Sequence, residues 1–229
     1  MSVSPQAQSL RHAVTECIGA GPVVVGCSGG PDSLALVDAT AWAVSHLGGS
    51  LTVGIVDHGL QADSANIAQR AAEACTAVGI DDVEIRRVQV GQEGGPEAAA
   101  RRARRAALMD LASSRGAAQI LLAHTLDDQA ETVLLRLARG SGARSLSAMR
   151  PCDPPWHRPF LGITRSLVHD VARERFVAHG FVPWDDPHNH DPHYARVRVR
   201  RSFHTLETDL GPGLASSLAR SAALLGDDA

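Results

Sequence analysis

Pro22-Val23-Val24-Val25-Gly26-Cys27 runs directly into Ser28-Gly29-Gly30-Pro31-Asp32-Ser33, and Leu34, Leu36, Val37 and Val44 follow at helical spacing up to Leu47. A β-branched run, a glycine turn and an apolar stretch of period near 3.6 read as strand, tight loop and helix. The unit recurs. Residues 51–56 (LTVGIV) read as a buried strand and 63–78 as a helix; 83–90 read as a third strand and 96–114 as an Ala/Arg-rich helix. Residues 119–123 (QILLA) read as a fourth strand, and 127–139 as a helix with Val133, Leu134 and Leu137 inward. Apolar strands separated by helices require a parallel sheet covered on both faces, a doubly wound α/β fold. Ligands of such sheets sit at the carboxyl ends of the strands, which is the edge where residues 28–33 lie.

Beyond Gly140 the texture changes, with Pro151, Pro154, Pro155, Pro159, Pro183, Pro187 and Pro192 punctuating an irregular region around one helix, 165–179. After Gly211-Pro212-Gly213, Leu214, Leu218, Leu224 and Leu225 form one amphipathic stripe with no evident cover. The expected organisation is an α/β domain over 1–145, an annex over 146–212, and a linker helix over 213–229 leading towards a partner domain outside this chain.

The 229 residues are 44% hydrophobic and 21% charged with a net charge of -3, which excludes disorder and any long-range attraction to polyanions. All 22 basic residues are arginine. Without lysine, neither a Walker-type phosphate loop nor a Schiff base can be built. Cys17, Cys27, Cys75 and Cys152 form no CxxC pair, and no uncharged apolar run approaches the ~18 residues of a membrane span. A reduced, cytoplasmic protein is expected.

Glycines between a strand and a helix start expose N–H groups and the helix dipole to a phosphate. Asp32 and Ser33 also suit helix capping. A phosphate beside Asp32 needs a cation between them, which implies magnesium. His124-Thr125-Leu126-Asp127-Asp128-Gln129-Ala130-Glu131-Thr132 reaches the same edge after the fourth strand. Asp127 or Asp128 can cap a helix and Glu131 can close a capping box, yet three acids and a histidine in eight residues suit metal and substrate ligands better.

Arg196, Arg198, Arg200 and Arg201 fall in 194–204 with no acid, and 97–115 holds five arginines against Glu97 and Asp110. The first group suits phosphate contact; the second suits either phosphate or a solvated helix face. With three Trp, one Tyr and four Phe, no large aromatic platform for RNA exists, and arginine stacking must substitute. His188, His190 and His193 read as a polar surface loop more readily than as a zinc site.

SGGPDS at 28–33, VDHGL at 56–60, ARRAR at 100–104, HTLDDQAET at 124–132, RGSG at 139–142, RPFL at 158–161, WDDPHN at 184–189 and the 194–200 segment together resemble the tRNA(Ile)-lysidine synthases. SGGxDS alone marks the wider PP-loop ATP pyrophosphatases. The resemblance covers about residues 20–212 and implies a Rossmann-like sheet, ATP and Mg2+. It implies ATP-dependent ligation of L-lysine to the wobble cytidine of a CAU-anticodon tRNA(Ile), through an adenylated tRNA, with release of pyrophosphate and AMP. The resemblance assigns ATP to Ser28, Gly29, Gly30, Pro31, Asp32, Ser33, Val56, His58, Arg139 and Gly140, and metal to Asp32 and Asp128. It makes Asp32, Arg104, His124 and Asp128 catalytic, and gives RNA to Arg101, Arg196, Arg198, Arg200 and Arg201.

The family often has Asn where Val197 stands, Leu-Pro at His204-Thr205, and an aromatic at Arg105; these departures touch RNA contact. The family usually carries a further domain downstream. Other readings are a PP-loop synthetase or amidotransferase acting on a small molecule, and a noncatalytic tRNA- or nucleotide-binding module. The lack of paired cysteines disfavours sulfur transfer.

Overall fold

The computed structural model describes residues 4–59, 63–91, 93 and 95–227; Leu60 of the second motif lies outside them. Helix α1 (Pro5–Cys17) precedes β1 (Pro22–Cys27), α2 (Pro31–Leu47), β2 (Ser50–Asp57), α3 (Ser64–Ala77), β3 (Val83–Arg87), α4 (Pro96–Ser114), β4 (Gln119–Leu121) and α5 (Leu126–Leu137). The short α6 (Ala143–Leu146), β5 (Cys152–Asp153) and β6 (Trp156–His157) follow, then α7 (Arg165–Val177), α8 (Ala195–Leu210) and α9 (Leu214–Asp227). The sheet order is β3-β2-β1-β4-β6-β5, parallel except for β5.

Alternation in β1 explains the two layers. Val23 and Val25 enter the core formed with Leu10 of α1, Leu34 and Val37 of α2, Ala71 of α3 and Val168 of α7. Val24 faces the other way, onto Leu108 and Leu111 of α4, Ile120 and Trp156. Glycines in the strands let α4 approach. A Cβ added at Gly54 would lie 2.7 Å from both Leu108 and Leu111, and one at Gly26 2.9 Å from Leu108. Because α4 crosses from β3 to β4 over the opposite face, the order in which strands are added reverses between the parallel β1 and β4. The ends of those two strands therefore border a crevice.

The four βα units stand where the periodicity puts them, with β3 ending at Arg87 and β4 at Leu121. Leu137 is 46% exposed instead of inward, because α5 has reached its last turn there. The annex is more regular than its prolines suggest. Two residues on each side of Pro154-Pro155 extend the sheet as β5 and β6, and the basic segment forms α8. The stripe on α9 is covered only in part: the helix packs along α5 and touches α6 and α8, and Leu214, Leu218 and Leu225 are half-buried. The side that packs carries Ala222, fully buried, while Leu224 is 60% exposed. Alanines in the seam let the two helix backbones approach closely. Among the described residues no helix is long and apolar enough to cross a membrane.

Candidate active site

Residues 28–33 form a braced loop at the end of β1. Gly29 takes φ 80°, a left-handed conformation that glycine adopts freely. Gly30 is the N-cap of α2 without a side-chain bond, so the first-turn N–H groups point free of the helix. Asp32 does not cap. The Ser33 hydroxyl donates to the Gly30 carbonyl (2.9 Å) and accepts from the Ser28 N–H (3.1 Å), holding the turn shut. The Trp184 N–H donates to the Gly29 carbonyl at 3.0 Å, which fastens the annex onto the loop. Asp32 Oδ1 is buried without a hydrogen bond and lies 3.2 Å from Nε2 of His169 on α7, which is likewise unbonded. An orphaned carboxylate oxygen beside a phosphate-sized cradle fits a magnesium ligand. At the end of β2, the Gly59 N–H donates to Asp57 Oδ1 at 3.0 Å. Burial works to raise the Asp57 pKa, but the Ser64 hydroxyl, the Gly59 N–H and Arg87 hold it below the usual carboxylate range. This turn carries His58, whose buried Nδ1 has no hydrogen-bond partner among the described residues.

His124 follows β4 half-buried, its Nδ1 also without a hydrogen-bond partner among the described residues. Burial pushes the imidazole pKa down to about 3; Asp128 pulls the other way, but Arg101, Arg158 and Arg104 add to the depression. His124 is a neutral base at physiological pH.

Arg101 and Arg104 of α4 and Arg158 after β6 act on it, and Arg105 of α4 and Arg196 of α8 join Arg101 and Arg104 in the same cluster. Among the described residues none of the five has a carboxylate within ion-pair distance. Arg196 makes one 3.4 Å contact to the Thr132 hydroxyl, and Arg158 donates to the Arg150 carbonyl (2.7 Å) while its buried Nε stays unbonded. Burial and the neighbouring cations lower the Arg101 pKa to about 10 and depress that of Arg104. Guanidiniums crowded without counter-ions suit an anionic ligand.

A model of the PP-loop domain matches residues 3–206. The tRNA(Ile)-lysidine synthase of Thermobifida fusca (strain YX) is 52% identical over 222 residues, covering 96% of this chain and 67% of the relative. This chain belongs to the tRNA(Ile)-lysidine synthase family. The tRNA(Ile)-lysidine synthase of Leifsonia xyli subsp. xyli (strain CTCB07) is 50% identical over 207 residues, 90% of this chain and 61% of the relative. The chain thus spans about two thirds of the length of these relatives. Among solved structures, the U34-tRNA thiolase NcsA from Methanococcus maripaludis superposes with a TM-score of 0.77 at 19% identity, over 96% of this chain and 78% of that one, a likeness of fold alone.

The acidic half of the family's HTLDDQAET motif forms a clasp. Asp128 Oδ2 accepts from the Thr125 N–H (2.8 Å) and hydroxyl (2.9 Å), and Oδ1 accepts from Arg165 Nη2 (2.9 Å). Burial would raise the Asp128 pKa; Arg165 and the Thr125 N–H outweigh it, and the group sits below the usual range. Glu131, 1% exposed, accepts from Arg165 Nη1 and Arg200 Nε, both at 2.9 Å. Asp127 Oδ2 takes the first N–H of α7 at 2.8 Å. Both Asp128 oxygens are therefore engaged, and Asp32 is the carboxylate left open to a metal.

Of the arginines assigned to RNA, Arg101 and Arg196 join the unpaired cluster. Arg200 is held by Glu131, Arg198 by the Pro192 and His193 carbonyls, and Arg201 by the His190 carbonyl. Arg139 and Gly140 follow the far end of the 12-residue α5, which lies about 14 Å of helix beyond Asp128. In the histidine-rich loop each imidazole meets its own aspartate: His188 with Asp186, His190 with Asp185, and His193 with Asp191. His169 and Arg165 escaped the reading from sequence because α7 carries no motif at these positions; only packing brings them to Asp32 and Glu131.

Proposed function

We propose that this chain carries the catalytic part of a lysidine-forming ligase: it activates the wobble cytidine of a CAU-anticodon tRNA(Ile) with ATP and joins L-lysine to it. One observation carries the reading: at the sheet edge that bears the glycine loop, Arg101, Arg104 and Arg158 bear on a neutral histidine, and with Arg105 and Arg196 they have no carboxylate within ion-pair distance among the described residues. The cytosine carbonyl oxygen is a poor leaving group. Adenylation by ATP with loss of pyrophosphate makes it a good one, and attack by the lysine amine then expels AMP. Residues 28–33 would cradle the phosphates, with Val56 and His58 flanking the nucleotide. Asp32 would hold magnesium, which when bound offsets charge on the phosphates. Arg104 would stabilise the activated base or charge on the α-phosphate, and His124 would orient the reacting groups or accept a proton. Arg101 and Arg196 face the RNA backbone. Asp128 serves the same site by anchoring Thr125 and Arg165. The working unit is the α/β domain of residues 1–145 with its 146–212 annex, acting in the cytoplasm, where free tRNA is found.

ATP–pyrophosphate exchange with and without a tRNA(Ile) transcript, followed by lysine incorporation, tests this. Exchange that requires a transcript with C at the wobble position is expected. Exchange without tRNA would mark a small-molecule synthetase, and ATP binding without exchange a noncatalytic module.

A further inference from the structure

The structure places Arg105 of α4 on an aromatic ring. Its Cζ lies 4.2 Å from the centroid of the Trp156 ring. Trp156 is 5% exposed and packed with Val24, Leu108 and Ile120, so the ring is an immobile seat. Arg105 itself is half-buried and makes no hydrogen bond or ion pair among the described residues. A guanidinium held over an indole loses little further freedom when a ligand lands on it. Its neighbours are Arg101, Arg104 and Arg158, none of which has a carboxylate within ion-pair distance among the described residues, Asp153 acting on Arg158 only from farther off.

We propose that Arg105, seated on Trp156, is a stacking platform for an unpaired base of the bound RNA. The inference rests on the tRNA-modifying function proposed above and adds a base-binding subsite to it. Unpaired bases stack on guanidinium planes as they do on aromatic rings. The chain has few aromatics to offer, and the indole below backs the guanidinium plane with a π surface. The sheet order separates this base from the adenine of ATP. The phosphate loop follows β1, and Val56 and His58 lie at the end of β2, whereas Trp156 lies in β6 on the other side of β4. Trp156 is two strand spacings from β1 and three from β2, about 10 and 14 Å. A nucleotide running from the loop towards β2 points away from it, while an RNA strand following the arginines passes over it.

Arg105→Lys keeps the charge and removes the plane; Arg105→Tyr removes the charge and restores a ring. Binding of the tRNA(Ile) transcript and of a single-stranded oligoribocytidine, across a salt series, is measured alongside KM for ATP, with thermal unfolding to verify that each variant folds. Arg105→Lys is expected to weaken both RNAs roughly tenfold with the salt slope unchanged. Arg105→Tyr is expected to stay near the wild-type affinity with a slope reduced by about 1, and KM for ATP stays constant in both. The platform is overturned if Arg105→Lys binds like the wild type, or if both variants weaken alike. It is overturned as an RNA subsite if KM for ATP rises while RNA binding holds, since the base would then be adenine. A wild-type chain that binds neither RNA would bring down the proposed function as well; normal binding with an unaffected Arg105→Lys would remove the platform alone.

Discussion

Two arginine-rich clusters lie within one helix length of each other and differ in what surrounds them. At the seam of α5, α7 and α8, Arg165 and Arg200 meet Asp128 and the buried Glu131, and every charge has a partner. At the β4 edge, Arg101, Arg104, Arg105, Arg158 and Arg196 have none within ion-pair distance among the described residues. Burial and Arg165's acidic neighbours oppose each other, and the neighbours prevail, raising its pKa; burial and neighbouring cations act together to lower that of Arg101. Paired arginines hold helices together. Unpaired ones cost stability and await a polyanion, so the number of carboxylates near an arginine says more about its task than its place in a motif.

The sharpest division between site and clasp is expected from Asp32→Asn against Glu131→Gln. Asp32→Asn should reduce pyrophosphate exchange by at least about 10²-fold, through lost metal binding, with an unchanged melting temperature. Glu131→Gln leaves Arg165 and Arg200 short of a buried counter-charge and should cost about 3–5 kcal/mol in urea unfolding. If the two variants showed the same pattern, the distinction would collapse. Asp128→Asn should share the stability loss, which Asp32→Asn does not.

Next come the two arginines four residues apart on α8. Arg196→Ala should lower the slope of log Kd for tRNA against log salt by about 1 without a change in melting temperature. Arg200→Ala should lower the melting temperature and leave the slope alone. Exchanged outcomes would mean that Arg200 releases Glu131 to reach RNA.

The depressed His124 pKa has a consequence for stability. Folded His124 takes up its proton only near pH 3, whereas the unfolded chain does so near ~6.5. Between those values the unfolded state binds more protons, so this contribution to stability is complete above about pH 6.5 and declines as pH falls through the window. Urea midpoints of His124→Gln should therefore fall less steeply from pH 6.5 to 4 than those of the wild type. The smallest effect is expected from Arg101→Gln, which relieves an i,i+4 repulsion with Arg105 and should stabilise the fold by about 0.2–0.5 kcal/mol while weakening tRNA binding. A destabilised Arg101→Gln would show that the cluster is balanced by groups other than a ligand.

The four βα units, the phosphate loop and the crevice edge were legible because each rests on local signals. β-branched strands, a glycine turn and helical apolar spacing act over ten to twenty residues, and β1 is apolar enough to occupy only the middle of a sheet. Strands of two residues such as β5 and β6 carry no measurable period, and the prolines around them imitate a loop. The stripe on α9 was visible, but its partial cover was not, because α5 lies more than seventy residues upstream. HTLDDQAET announced a site and became half site, half clasp. His124 faces the arginines while Asp128 and Glu131 turn to Arg165, and that division depends on where α7 and α8 dock.

Covalent order thus established the layered α/β sheet, the edge at which chemistry takes place and the residue types available there, since backbone propensity and apolar period are properties of neighbours in the chain. Packing settled which arginine is neutralised and which carboxylate remains open. Asp32 is left facing His169 across 137 residues, and Glu131 is closed by Arg165 and Arg200. Electrostatic pairing acts over a few ångströms in space and takes no account of separation along the chain. The charge state of the site therefore came into being only when the annex folded back onto the sheet.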